Sequence, residues 1–171
     1  LPQPQVEGDL STFLQMENRA GDRGIVDVSL GMNPAGSVVE LFGTETFALM
    51  SVSEREILLR LMGRQTGIIL DTLRFLLSRG VGPFFSMAGE EYVAPPIHGP
   101  KDFRDFNARY DKPIVDAIHD AGGCIHIHCH GSIRRVLPSF VKLGVDVLHP
   151  FEAPPYGDVL PSEAKAVARG K

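Results

Sequence analysis

The chain has 171 residues, the size of one domain or of a piece of a larger one. A formal net charge of −4 with a pI of about 5.8 excludes a general nucleic-acid or membrane-surface binder, which would carry a basic patch. With 43% hydrophobic and 22% charged residues it can bury a sizeable core, and no apolar run approaches the ~18 residues of a membrane span.

In chain order, LPQPQVEGDL has neither a charged n-region nor an apolar h-region, so it does not read as a signal peptide. LSTFLQMENRA suits a short helix and GDRG a turn. Residues 25–30 form a β-rich run closed by the glycines and proline of GMNPAG, which predicts a first strand and a loop. SVVELFG and TETFALM suggest one or two short helices. A long amphipathic helix follows over residues 51–80. Its apolar positions Ile57, Leu58, Leu61, Ile68, Ile69, Leu73, Leu76 and Leu77 recur at spacings of three and four. Ser53 and Glu56 have capping-box spacing at its start, and Gly80 supplies a stop.

VGPFFSMAG predicts a second strand and EEYVAPPIHGPKDF a loop. A helix over residues 99–123 is expected to be interrupted near Pro113. CIHIHCHG predicts a third strand, SIRRVLPSFVKLG a helix, VDVLHPFE a fourth strand, APPYGDV a loop, and LPSEAKAVARGK the start of another helix. Strands alternating with helices imply parallel βα units. Four such units make half of a (β/α)8 TIM barrel, which typically needs about 250 residues. Residues 1–171 therefore read as part of a single barrel domain within a longer polypeptide, with a small doubly wound sheet as the alternative.

The third strand concentrates the ligands. Cys124, His126, His128, Cys129 and His130 are five of the eight histidines and cysteines in the chain. Strand alternation puts Cys124, His126, His128 and His130 on one face and Cys129 on the other, as buried packing. Imidazole is the commonest protein ligand for zinc and related metals. His128 and His130 lie at the C-terminal end, the active-site face of a parallel barrel. They are the expected metal ligands; Cys124 and His126 lie deeper, where a supporting role suits them equally. Glu152, at the mouth of the next strand, is the expected third ligand or general base. His149 has the opposite parity and ranks lower. The bland alternatives are satisfied core histidines and a solvated glutamate.

Other polar residues follow strands: Asn33 after the first, and Ser86, Glu90, Glu91 and Tyr92 after the second. Ser86 and Tyr92 are catalytic candidates and Asn33 a cofactor-binding one. Arg134, in the first turns of a helix, could clamp a carboxylate or phosphate. Two cysteines among histidines make no disulfide framework, which points to a reducing, cytoplasmic setting.

The succession GPFFSMAG, GPKDFRDF…Y…IVDAIHDAGG, CIHIHCHGS and LGVDVLHPFEAPPYGDV resembles the uroporphyrinogen decarboxylase superfamily over residues 25–171. The resemblance implies a TIM barrel about twice this length and one of two chemistries. One is metal-free decarboxylation of a tetrapyrrole. The other is methyl transfer between a corrinoid and a thiol, with zinc held by an H-x-C-G motif and a later cysteine. On that motif His128 matches the histidine, His130 the cysteine and Gly131 the glycine. Ser86 matches a substrate-contacting serine of the decarboxylase. A tyrosine expected within GMNPAGSVVELFG is Val38 or Val39 here, which turns the reading toward the metal-binding methyltransferase branch.

The expected cofactors are a divalent metal, zinc, and a corrinoid as cosubstrate. The expected partners are a small-molecule, tetrapyrrole or corrinoid substrate, a corrinoid protein, and a second copy in a homodimer. A metal-dependent TIM-barrel hydrolase and a non-catalytic tetrapyrrole-binding subunit are the rival readings.

Overall fold

The computed structural model describes residues 7–169, so the readings of the first six residues and of the extreme C-terminus lie outside the described residues. Four parallel strands form one sheet in the order β1-β2-β3-β4: β1 Val28–Met32, β2 Phe84–Ala88, β3 Cys124–His128 and β4 Val147–His149. The fold is mixed α/β, with helices α1 Ser11–Ala20, α2 Pro34–Phe42, α3 Thr44–Ser53, α4 Arg55–Ser78, α5 Pro100–Asp102, α6 Arg109–Asp120, α7 Leu137–Leu143 and α8 Pro161–Val167. Each strand is followed by helix and then by its neighbour in the sheet, and the strand order never reverses.

Alternation along the strands assigns one face to the core. Phe85 and Met87 of β2 and Ile125 and Ile127 of β3 are buried, and they join Ile69 and Leu73 of α4, Ile114 and Ile118 of α6 and Phe140 of α7 in one cluster. Val28, Leu30 and Leu148 extend that face onto β1 and β4. A second cluster, around Val38, Phe47, Leu58, Met62 and Phe106, joins α2, α3 and α4. On α4 the buried stripe is Leu58, Met62, Thr66, Ile69 and Leu73, a three-and-four repeat along a 24-residue helix. Ile57 instead points outward.

Several boundaries differ from the sequence reading, each for a local reason. Ser53 closes α3 and its hydroxyl donates to the Leu49 carbonyl, so it does not cap α4; Glu54 alone separates the two helices. The helix around Pro113 is not broken there. A π-helical stretch, Phe103–Ala108, runs between α5 and α6 just before it, and the chain stays helical through Asp120. α7 begins only at Leu137, with Pro138 in its first turn, so Arg134 and Arg135 sit in a turn ahead of the helix. β4 is three residues long rather than eight, ending at His149 just before Pro150. Among the described residues no helix is long and apolar enough to cross a membrane.

Gly36 and Gly89 let two connections touch. A Cβ on Gly36 would lie 3.1 Å from the Gly89 Cα, and Gly89 itself has φ +103°. The N-terminus of α2 can therefore rest against the end of β2 only with glycine at both positions.

Candidate metal centre

Strand register builds the site on the face opposite the core. Ser86 pairs with His126 and His126 with Val147; Ala88 pairs with His128 and His128 with His149. His128 and His149 are thus neighbours in one row across the C-terminal ends of β3 and β4, with His126 one pleat deeper. His149 ranks low from the sequence only when its parity is compared with that of Glu152. That comparison fails because the strand ends at His149, so residues 150–152 obey no alternation.

His126, His128 and His149 can each offer a ring nitrogen such that all three lie within 4.8 Å of one another, so this cluster could hold a metal ion. His128 Nδ1 and His149 Nδ1 are 3.2 Å apart. Two nitrogens bound to one tetrahedral zinc stand about 3.3 Å apart, so the spacing already fits. The alternative explanation of that distance is an N–H···N hydrogen bond between two neutral rings. His126 discriminates. Its Nδ1 faces the Asp27 carboxylate at 3.3 Å, while its Nε2 is buried without a hydrogen-bond partner. A carboxylate on one ring nitrogen fixes the tautomer and ring orientation that present the other to a metal.

Burial, aided by the neighbouring His130, lowers the pKa of His128 and favours the neutral, ligating ring. Three imidazoles suit zinc and related first-row metals rather than magnesium or calcium.

His130 and Glu152 form the rim. His130 lies beyond the end of β3, so its position follows from the loop and not from strand alternation. Its ring centroid is 4.5 Å from that of His128, and its Nδ1 is 3.2 Å from Glu152 Oε2. The same oxygen accepts the Gly131 N–H at 2.7 Å, at a glycine with φ +86°. The Gly131 N–H and then His130 hold the Glu152 carboxyl below its ordinary range. The geometry therefore pairs Glu152 with His130, and the three-nitrogen cluster contains neither of them.

The remaining candidates divide. Ser86 stands beside His126 on the site face. Tyr92, in the 3-10 turn Glu90–Val93, packs against the second apolar cluster instead. Asn33 is fully buried; its Oδ1 caps α2 by accepting the Gly36 N–H, and its Nδ2 donates to Asn107 and Asp111. That leaves it no polar atom for a cofactor. Arg134 grips Glu163 with both guanidinium nitrogens at 2.8 Å and reaches the Asp158 carbonyl, tying its turn to α8. Cys129 is buried toward the helices, and burial pushes its thiol pKa up.

Asp27 and His149 are the functional-site residues that sequence reasoning missed. A lone aspartate just before a strand carries no pattern. His149 carries a usable signal in its place just before a proline, a residue that seldom sits inside a sheet. No protein-family model, curated protein or solved structure matches this chain.

Proposed function

We propose that this chain is part of a (β/α)8 barrel enzyme of the uroporphyrinogen decarboxylase superfamily, with a divalent metal, zinc, at His126, His128 and His149. Its reaction is methyl transfer involving a corrinoid and a thiol. The observation that carries the reading is the three-histidine cluster at the C-terminal ends of adjacent parallel strands, where barrel enzymes build their sites. The barrel is supported by strand order and by packing. A doubly wound sheet reverses its strand order and covers both faces with helices. Here the order runs straight through, and the buried strand residues belong to one face.

When bound, the metal would act as a Lewis acid that lowers the pKa of a thiol or water at its open position. The chain's own contribution is orientation. Asp27 sets the His126 ring, the ladder between β3 and β4 sets His128 against His149, and Ser86 lies beside them for substrate contact. His130 and Glu152 form the rim beside His128.

A metal-dependent hydrolase is the second reading, favoured by one observation: the cluster is all imidazole. No cysteine belongs to it, and Cys129 faces the other way. Neutral ligands leave the ion its full charge for activating water.

The test uses the full-length protein, its metal content, and methylcobalamin with a small thiol. The expected result is stoichiometric zinc, lost in the His126→Ala, His128→Ala double variant, together with demethylation of the corrinoid that disappears with the metal. A zinc protein that cleaves esters and leaves methylcobalamin intact would establish the second reading. A metal-free protein that decarboxylates a porphyrinogen would overturn both.

A further inference from the structure

Four polar side chains with no exposed surface meet on the helix side of the strand ends, away from the histidines. Glu90 opens the 3-10 turn after β2, Asn33 caps α2, Asn107 belongs to the π-helical stretch and Asp111 to α6. All four are 0% exposed. Asn33 Nδ2 donates to Asn107 Oδ1 at 3.2 Å and to Asp111 Oδ1 at 3.3 Å, and Asn107 Nδ2 donates to the Glu90 carbonyl at 3.0 Å. One amide group is thus the hydrogen-bond donor to Asp111. Both oxygens of the Glu90 carboxyl are buried with no partner at all. The ion pairs of the described residues include neither acid.

Two buried acids without a cationic partner are costly in their charged form. Protonation removes the charge. It leaves the Glu90 hydroxyl and carbonyl unmatched, however, because its own backbone N–H is the one polar group near the carboxyl and makes no well-formed hydrogen bond to either oxygen. A proton shared between the two carboxyls is excluded by the same observation, since it would bring an Asp111 oxygen into hydrogen-bond contact with Glu90. A cation answers both needs, because one ion engages both oxygens of a carboxylate.

We propose that Glu90 and Asp111 hold a calcium ion in a closed, oxygen-lined site, with Asn107 Oδ1 as a third donor. The donor set selects the metal. Oxygen-only ligands, including carboxylates that bind through both oxygens and amide carbonyls, suit calcium. Zinc prefers nitrogen or sulfur, and magnesium demands a near-ideal octahedron at shorter distances, whereas calcium accepts the irregular geometry of two bidentate carboxylates, an amide oxygen and water. Two carboxylates match one divalent charge. The ion would tie the turn after β2 to the π-helical stretch and α6, bracing the strand next to β3. Burial, and then the charge of Asp111, pushes the Glu90 carboxyl well above its ordinary range, and burial does the same to Asp111. Both acids are therefore poised to exchange protons for the ion.

The test follows calcium and melting temperature in the full-length protein. Elemental analysis after exhaustive dialysis should find about one calcium per chain. EGTA should lower the melting temperature, and added calcium, but not magnesium, should restore it. Glu90→Gln and Asp111→Asn should each lose this response, while His128→Ala keeps it. A protein that retains no calcium and melts identically with EGTA and with calcium overturns the proposal. Glu90→Gln melting at or above the wild-type temperature overturns it too, since that marks a neutral buried acid. Should both variants fail to fold, the EGTA and calcium arms on the wild-type protein decide alone.

Discussion

Along β2 and β3, Phe85, Met87, Ile125 and Ile127 are at most 1% exposed, whereas their alternating neighbours Ser86, Cys124, His126 and His128 stay half-buried. The two faces share a backbone and a register and differ only in what they meet. One meets helices and carries apolar side chains. The other carries hydroxyl, thiol and imidazole groups at the strand ends. Period-two alternation lets ten strand residues build a core and a site at once, so a change on one face should leave the other face's property intact.

That separation can be broken in four places. Ile127→Ala removes a side chain with no exposed surface from the helix face and should cost about 2–5 kcal/mol, read as a lower denaturant midpoint with an unchanged slope. Zinc binding by the folded fraction should survive. If the metal is lost while the fold holds, the two faces are coupled.

Asn33→Ala removes the cap of α2 and the amide that serves Asp111, at a cost of about 1–3 kcal/mol. Zinc affinity should not change, because Asn33 makes its contacts with Gly36, Asn107 and Asp111 and with none of the three histidines. A selective loss of cofactor binding would restore Asn33 to the site.

Asp27→Asn works in the opposite sense. It keeps the shape beside His126 and removes the carboxylate that orients the ring. Zinc affinity should fall about 10- to 100-fold with little change in melting temperature. An unchanged affinity would show that His126 needs no orienting partner.

The smallest effect concerns pH. Glu152 has its carboxyl pKa lowered in the folded state by the Gly131 N–H and then by His130. A depressed carboxyl contributes stability above its unfolded pKa and loses it as pH falls through the folded value. Glu152→Gln should therefore flatten the acid limb of a stability–pH curve and leave the neutral region unchanged. An acid limb that does not move would mean that the rim pair is loose in solution.

Periodicity made much of the fold legible. The three-and-four repeat announced α4, and the β-rich runs bounded by glycine and proline announced all four strands. Boundaries failed where one residue served the preceding element. Ser53 belongs to α3, so its spacing to Glu56 carried no cap. Parity fails for His149 because it assumes a strand through Glu152, and β4 ends at His149. The site was legible as a histidine-rich strand and not as a ligand set. Which rings converge depends on the pairing of His128 with His149 across 21 residues, and on Asp27 meeting His126 from 99 residues away.

The sequence by itself determined the alternation of strands and helices, the apolar face of the sheet and the placing of histidines on the opposite face, because these are local periodicities. Only the tertiary structure decided that β4 docks in register beside β3, that Asp27 turns the deeper histidine into a ligand candidate, and that Glu90 and Asp111 are buried around the same two asparagines. Those are contacts between segments far apart in the chain. They arise when the helices bury one face of the sheet and so fix which side chains are left to meet on the other.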